Sequence, residues 1–463
     1  MAKHHIVHAA VASGLTLFIL PALAEEDQGL TVTLGVEQKF EAGDNLALER
    51  PEEGNTVLST TDLSLGLLSE THNQTFSLSA GVKIRDGSLP SNSDLDTGIV
   101  EPILSFSYKR ESSNAAFTFD GSYRESDISF TPAVSDFAGD DGIIILPPDF
   151  EDLEGSGTRQ IYRLSTELET GKNAPLGFVF GASVSGISYD NQSPTLEDTF
   201  RYSASARANL RLSDVTTGFL SYEIDHFESD DIQDTERDTH SFEVGVIQDI
   251  SPLTTIEAAI GYTEIDESVL FGLPGDSSGA TGRLSLTHQR PNGEVTASYA
   301  TSQDQDGARH NVQVGRSFEL PRGSFSAMVG ATKKGSSSPE LIGSLNYNQE
   351  LPTGNLRVGI NRDVSVSDED NERIATTAQV NYRHDINNIS HLGVDFSFGK
   401  TEGTATTVGT TRADISASYN RDITEDWSLS TGVSYRVRDQ QGASQTDSTS
   451  IFLTLRREFT LFR

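Results

Sequence analysis

The stretch FRYSASARANL, residues 200–210, decides the fold. Apolar or small side chains occupy every second position from Phe200 to Leu210, and polar side chains such as Arg201 and Arg207 occupy the positions between them. Successive side chains of a β-strand point to opposite faces, whereas a helical period of 3.6 residues would mix the two sets on every face. The stretch therefore predicts a strand with one apolar and one polar face.

The same alternation recurs along the chain, for example over residues 76–84, 374–383 and 427–436. The links between these segments are alternately short and long. Short links such as 290–293 carry the Pro, Asn and Gly residues of tight turns, and the longest link covers about 125–157. This asymmetry is typical of outer-membrane barrels. We predict an all-β, antiparallel, up-and-down transmembrane β-barrel of about 22 strands (roughly 18 to 24), with short periplasmic turns and longer external loops.

The N-terminus predicts export. Lys3 precedes an apolar segment, Ile6 to Leu20, which Pro21 interrupts before the small residues around Ala24. This order is that of a secretory signal peptide, so we expect residues 1–24 to be removed after Ala24 and residues 25–463 to form one barrel domain. The 463-residue chain has no cysteine, which excludes a lipoprotein anchor, disulfides and thiolate metal sites. The expected location is the outer membrane of a bacterial cell.

The net charge of −34 argues against a nucleic-acid partner, because binding to phosphates requires clustered Lys and Arg. Neither a G-x-S-x-G nucleophile motif nor an HExxH zinc motif occurs. We therefore expect no enzymatic activity, catalytic residue, metal site or cofactor. The expected surroundings are outer-membrane lipids and lipopolysaccharide.

The end of the chain resembles the last strand of Gram-negative outer-membrane β-barrel proteins, the porin-like barrels. Apolar Ile451, Leu453 and Leu455 alternate, and Phe459 and Leu461 follow. The resemblance implies recognition by the barrel-assembly machinery, although the chain departs from the usual aromatic terminus by ending in Arg rather than Phe. The Gly/Ser-rich acidic strands also resemble β-barrel porins associated with proteobacterial surface polysaccharides, which implies periplasmic export proteins as further partners.

The polar inner face predicts a lumen that is either an aqueous channel or plugged, because a barrel this wide is not filled by its own wall. Barrels of the TonB-dependent receptor class carry an N-terminal plug, but the first strand here is expected soon after the cleavage site. Any plug should therefore be a loop. Our candidate is the 125–157 link, whose apolar run Ile143, Ile144, Ile145 and Leu146 should be buried. It is either an inward constriction, or an extra hairpin or cap on neighbouring loops.

Five charged residues are candidates for lining the channel: Arg201, Arg207, Arg211, Glu223 and Asp225. If Leu212 pairs with Gly218, Arg207 lies opposite Glu223 on the lumen face. Such facing charges either order polar solutes in a transverse field or stiffen the wall through salt bridges.

Three functions follow from these observations. The first is passive diffusion of small polar solutes through a porin-like channel. The second is export of a surface polysaccharide, or envelope assembly. The third is a surface structural protein or adhesin that works through its acidic loops.

Overall fold

The structure is a computed structural model that describes residues 29–462. Within this range it leaves out positions 53, 91–96, 131, 140–141, 154–155, 191–195, 271–274, 306, 367–371 and 404–407. The predicted signal peptide and its cleavage position after Ala24 lie outside the described residues.

The described residues form strands over almost their whole length. The strands are β1 (Leu30–Asp44), β2 (Asn55–Glu70), β3 (Gln74–Ser88), β4 (Gly98–Glu111), β5 (Ala115–Asp127), β6 (Thr158–Thr170), β7 (Leu176–Asp190), β8 (Thr199–Ser213), β9 (Thr216–Ser229), β10 (Thr235–Ser251), β11 (Thr254–Ser268), β12 (Ser277–Arg290), β13 (Gly293–Asp304), β14 (Gly307–Leu320), β15 (Gly323–Lys334), β16 (Glu340–Leu351), β17 (Gly354–Val366), β18 (Glu372–Asn387), β19 (Ser390–Glu402), β20 (Thr410–Asp422), β21 (Trp427–Gln440) and β22 (Thr446–Phe462). A short 3₁₀ turn, Val134–Phe137, lies between β5 and β6.

The sheet closes on itself. Each strand pairs antiparallel with its sequence neighbours, and β1 pairs with β22 as well as with β2. Leu34, for example, lies opposite Leu65 on one side and Phe459 on the other. In the described part of the chain the result is a 22-stranded closed barrel, as predicted from the alternation and the uneven links.

The two faces of the wall differ as the alternation requires. Outward side chains such as Ile260 and Val329 are 70% and 58% exposed in the isolated protein, as expected of groups that contact lipid acyl chains. Inward positions are largely hydroxyl, amide and charged side chains. No helix in the described ranges is both long and apolar enough to cross a membrane.

The predicted asymmetry of the links is also confirmed. Turns such as the one between β8 and β9 are tight, whereas most connections at the other end are longer; the two-residue link between β13 and β14 is an exception. Among the connections that the structure describes over most of their length, two fold into the lumen. The β1–β2 loop (residues 45–54) buries Leu46 and Leu48, and its backbone accepts hydrogen bonds from Arg436 and Thr446 on the inner face of β21 and β22. The second is the β5–β6 loop, residues 128–157.

Candidate functional site: the lumen and its internal loop

The β5–β6 loop crosses the lumen. It leaves the wall at β5, returns at β6, and packs between these points on the inner face of β18, β19 and β20. On the shorter way round the cylinder, β1–β4, β21 and β22 separate β5 from β20. The loop is therefore a chord across the barrel.

Apolar side chains explain why this long loop does not remain in solvent. Val134, Ile144, Leu146 and Phe150 are buried together against Ala375 of β18. Each large side chain removed from water contributes about 1.5–3 kcal/mol. Gly399 of β19 makes room for them, since a Cβ there would lie 3.0 Å from Leu146 Cδ2.

Arg373 of β18 is the main polar anchor of the loop, and its side chain is only 1% exposed. Its guanidinium donates to the carbonyl oxygens of Leu146 (3.1 Å), Pro147 and Pro148 (3.1 Å), and it forms an ion pair with Glu151. The planar fork of an arginine suits several acceptors at once. Arg373 therefore satisfies three successive backbone carbonyls that would otherwise be buried without partners.

Neighbouring wall residues extend this contact. Thr377 Oγ1 donates to the carbonyl of Ile144 (2.9 Å), and the Gln379 amide donates to the carbonyl of Gly142. On β20, Arg412 donates to the carbonyls of Phe150 (2.8 Å) and Leu153 (2.9 Å), and its guanidinium lies 4.4 Å from the Phe150 ring centroid. The loop backbone is thus held by wall side chains along most of its path.

The return of the loop to β6 has its own anchor. Asp149 is fully buried and accepts hydrogen bonds from Arg159 of β6 (2.8 Å) and from the Tyr189 hydroxyl of β7. A buried carboxylate needs such partners, because leaving it unpaired costs several kcal/mol. Asp149 therefore ties the middle of the loop to its own root.

Replacing Asp149 by Asn should loosen the loop at this root. The amide keeps the shape but removes the charge opposite Arg159, and breaking a buried ion pair typically costs about 3–5 kcal/mol. Hydrogen exchange of the loop amides should become faster. Asp190→Asn, at the exposed position next to Tyr189, is the control; equal protection in the two variants would contradict this role of Asp149.

The predicted apolar run lies where the loop meets the wall. Ile144 (2% exposed) and Leu146 (5%) point into the contact, as predicted, and Ile143 is half-buried. The prediction of burial is wrong for Ile145, which is 65% exposed because successive residues of this extended segment point to opposite sides. The loop also contains an isolated β-bridge between Ala138 and Ile144. The expected inward fold and the small hairpin therefore coexist. The role of the run as a constriction stays a prediction.

A cavity of about 610 Å³ lies on one side of the loop. Its wall residues come from β1–β5 and β18–β22, and the loop contributes Phe130, Pro132, Ala133, Ser135 and Asp136. The loop thus separates this compartment, which we call the smaller one because ten strands bound it, from the part of the lumen bounded by the twelve strands β6–β17, which we call the larger compartment.

Asp136 faces the smaller compartment at the point where the loop meets β20. Burial raises the pKa of the Asp136 carboxyl above its ordinary value, and the nearby Arg124, Lys83 and Arg436 only partly oppose the shift. The carboxylate of Asp414, which accepts the backbone N–H of Val134, is a further negative group close by. Docking of the loop is therefore opposed by the free energy that burial of the ionised Asp136 carboxylate costs.

This cost gives docking a pH dependence. The docked loop raises the pKa of Asp136, so protonation of this carboxyl stabilises the docked state. The stabilisation is complete below the ordinary aspartate pKa of about 3.9 and is lost as the pH rises through the raised pKa. Asp136→Asn should therefore protect the loop amides better than wild type at neutral pH. The difference between the two proteins should shrink as the pH falls. A difference that is independent of pH would refute the assignment.

The larger compartment contains the five charged residues predicted to line the channel. Arg201, Arg207 and Arg211 of β8, and Glu223 and Asp225 of β9, all occupy inward positions. Whether they line a conducting path stays a prediction.

The predicted pairing within this group is wrong by two residues. Leu210, and not Leu212, lies opposite Gly218, so that Arg207 faces Ser221 and Ser205 faces Glu223. The cause is a two-residue turn combined with an irregularity between Arg211 and Ser213. A shift by two preserves the faces, because the side-chain period of a strand is two.

The actual contacts of these residues differ accordingly. Arg201 Nε donates to Asp225 Oδ2 at 2.7 Å. Arg207 stacks at 3.9 Å on the ring of Phe219, which is buried in the inner wall, and Arg283 of β12 approaches the same ring at 5.5 Å. Arg283 also pairs with Glu243 and Glu257. The wall of the larger compartment is therefore charged, and several of its arginines are held by carboxylates or by an aromatic ring.

Within the described ranges, no group of three or more His, Asp and Glu side chains is placed to hold a metal ion. The wall residues that anchor the loop, Arg373, Thr377, Gln379 and Arg412, were not identified from the sequence. They occupy ordinary inward positions of strands. No feature of the sequence distinguishes them from the other lumen-facing residues.

No family model matches this sequence, and no curated protein matches it either. Solved structures do match, with low sequence identity. The FrpB iron transporter of Neisseria meningitidis (F5-1 variant) is 9% identical with a TM-score of 0.57; the match covers 95% of this chain and 83% of that one. A mutant of the ferric enterobactin receptor PfeA of Pseudomonas aeruginosa is 10% identical with a TM-score of 0.53, and the match covers 94% of this chain and 81% of that one. The siderophore receptor PirA of the same organism is 10% identical with a TM-score of 0.51, and the match covers 94% of this chain and 81% of that one.

At this level of identity the likeness concerns the fold. The chain has the fold of Gram-negative outer-membrane β-barrels. Its location is the outer membrane, where the apolar band contacts lipid and lipopolysaccharide.

Proposed function

We propose that the protein is an outer-membrane channel for small polar solutes, with the β5–β6 loop as its internal constriction. The observation that supports this most is the loop itself, which is anchored through Arg373 and Arg412 on a wall far from its root. A loop that crosses the lumen in this way narrows the passage without filling it. The larger compartment would be the path.

The chemistry of that path agrees with the proposal. Its wall carries Ser, Thr, Asn and Gln side chains together with exposed charges such as Arg201, whose side chain is 61% exposed. Polar groups of this kind are stable only in contact with water or polar partners. Barrels of 16–18 strands already leave an aqueous channel, so a wider barrel with one loop across it has room for solutes.

The test is transport by the purified full-length protein. In planar bilayers we expect discrete single-channel currents, and in liposomes we expect swelling in isotonic small sugars that slows as the sugar becomes larger. Absence of both from protein that migrates as a folded, heat-modifiable barrel would refute the channel.

A second candidate is uptake of a larger ligand through the barrel. The fold likeness favours it, because the similar structures are described as receptors for ferric enterobactin or siderophores and as an iron transporter. Binding of ferric enterobactin to the purified protein, without channel currents, would support this reading over the first one.

The polysaccharide-export and adhesin hypotheses stay predictions that no contact in the described lumen favours. Recognition by the barrel-assembly machinery and by periplasmic export proteins also stays a prediction. Loss of surface polysaccharide on deletion of the gene would revive the export hypothesis.

A further inference from the structure

A strip of the lumen wall on β6–β9, which we call the trough, has small side chains along its middle and lies between the Asp149 anchor and the short turns. The strand register arranges its residues in three rows that cross the strands. Arg159 and Tyr189, which hold Asp149, lie on the same face four residues above the top row. A solute in the trough would thus lie directly beneath the root of the β5–β6 loop.

The top row is basic. Arg163 of β6 and Arg201 of β8 both lie opposite Ser185 of β7, one on each side. Adjacent strands are about 4.8 Å apart, so the two arginine backbones are roughly 10 Å apart with a small residue between them. Arg201 is paired with Asp225, whereas exposed Arg163 forms no ion pair within the described part of the chain.

The middle row is made of hydroxyl groups. Ser165, Ser183 and Ser203 lie side by side on β6, β7 and β8, and the hydroxyls of Ser183 and Ser203 share a hydrogen bond of 2.8 Å. Asp120 and Asp225 follow at the two ends of this row. Small side chains here keep the floor of the trough low.

The bottom row is acidic. Glu167 of β6 and Glu223 of β9 are both exposed to the lumen, and Gly181 and Ser205 lie between them. Neither glutamate forms an ion pair among the residues that the structure describes. Four residues of strand, about 13 Å, separate Arg163 from Glu167 on the same face.

This spacing argues against a purely structural role. A wall stiffened by salt bridges would pair opposite charges directly across from each other or on diagonal positions, as Arg201 and Asp225 are. Asp120 lies diagonally to Arg163, and Arg207 lies diagonally to Glu223, but no ion pair joins either of these pairs among the described residues. Arg163 and Glu167 instead stay apart, with the serine row between them. Both charges are left facing water within the lumen.

We propose that this trough binds a small zwitterionic solute of the size of a short peptide. The carboxylate of the solute would lie between Arg163 and Arg201, its amide groups along the serine hydroxyls, and its ammonium group toward Glu167 and Glu223. Guanidinium groups suit carboxylates, and carboxylates accept from ammonium. The inference deepens the proposed function, since it names the solute class of the same channel.

The binding test uses the full-length protein in detergent and isothermal titration with three probes: glycylglycine, N-acetylglycine and glycinamide. Glycylglycine should bind at least about tenfold more tightly than either singly charged probe. Arg163→Gln and Glu167→Gln should each weaken glycylglycine about tenfold, the factor typical of losing one charge-assisted contact. Arg357→Gln removes an exposed inward arginine on β17, on the opposite side of the barrel, and should change nothing.

A further variant tests the shape of the trough without changing its charge. A Cβ at Gly181 would come within 2.8 Å of Ser205 Oγ, so Gly181→Val should fill the floor and abolish binding. Equal affinity for N-acetylglycine would reduce the trough to an anion site and overturn the proposal, as would no binding of glycylglycine at all. Binding without channel currents refutes only the channel, and currents without binding refute only the trough.

Discussion

Deletion of residues 139–150 is expected to raise the single-channel conductance several-fold. This segment includes Ile144, Leu146 and Phe150, which hold the loop against β18 and β19, and Asp149, which holds it to its root. Its removal should leave a connection that keeps the hydrogen bond of Val134 to Asp414 but has lost most of the groups that hold the loop across the lumen. Planar-bilayer recordings of the variant and of wild type, at the same salt concentration, measure the change.

A second variant separates loop volume from loop docking. Replacing residues 139–150 by a glycine–serine segment of the same length keeps the length of the loop but removes the contacts that Ile144, Leu146, Asp149 and Phe150 make with the wall. We expect noisy currents between those of wild type and the deletion, because an undocked loop moves in and out of the path. Unchanged conductance in a deletion variant that still folds would end the constriction hypothesis.

The barrel itself could be predicted from the sequence because two local rules act on every strand. The two-residue period of segments such as 200–210 assigns each side chain to lipid or lumen, and the alternation of short and long links fixes the antiparallel order. Both signals are repeated along the whole chain. A wrong assignment of one strand therefore does not change the predicted fold, and the predicted number of 22 strands agrees with the structure.

Register and loop docking are different, because they depend on single geometric details. The Arg207–Glu223 pairing was predicted from a plausible turn and failed on one irregularity near Leu212, although every face remained correct. The burial of Ile144 and Leu146 was predicted from their hydrophobicity. Their partners on β18–β20 could not be predicted, because those partners are distant in sequence and only the closed barrel brings them near.

The wall residues that contact the loop across the barrel can be recognised only once the structure is known. On β18 the inward residues Arg373, Ala375, Thr377 and Gln379 are all buried, although an inward face of a wide barrel normally meets water. In the sequence they resemble any other lumen-facing row. Their role follows from what covers them.

Replacement of Arg373 by Ala is expected to release the loop from β18. The substitution leaves the Glu151 carboxylate and the carbonyls of Leu146 and Pro148 without their donor, and breaking a buried ion pair of this kind costs about 3–5 kcal/mol. Arg373→Lys should rescue the loop only in part, since a single ammonium group does not match a planar fork that serves four acceptors. Limited proteolysis within residues 128–157 and the single-channel noise both report release.

Arg357→Ala is the matched control for this prediction, because it removes an inward but exposed arginine from the neighbouring strand β17. Its loop should remain as resistant to protease as that of wild type, and its open-channel noise should not increase. For Arg373→Ala we expect both quantities to change together, while the heat-modifiable mobility of the barrel is retained. A loop that stays protected without Arg373 would mean that the apolar cluster around Phe150 suffices to hold it, and that the buried guanidinium serves only to satisfy the carbonyls it meets.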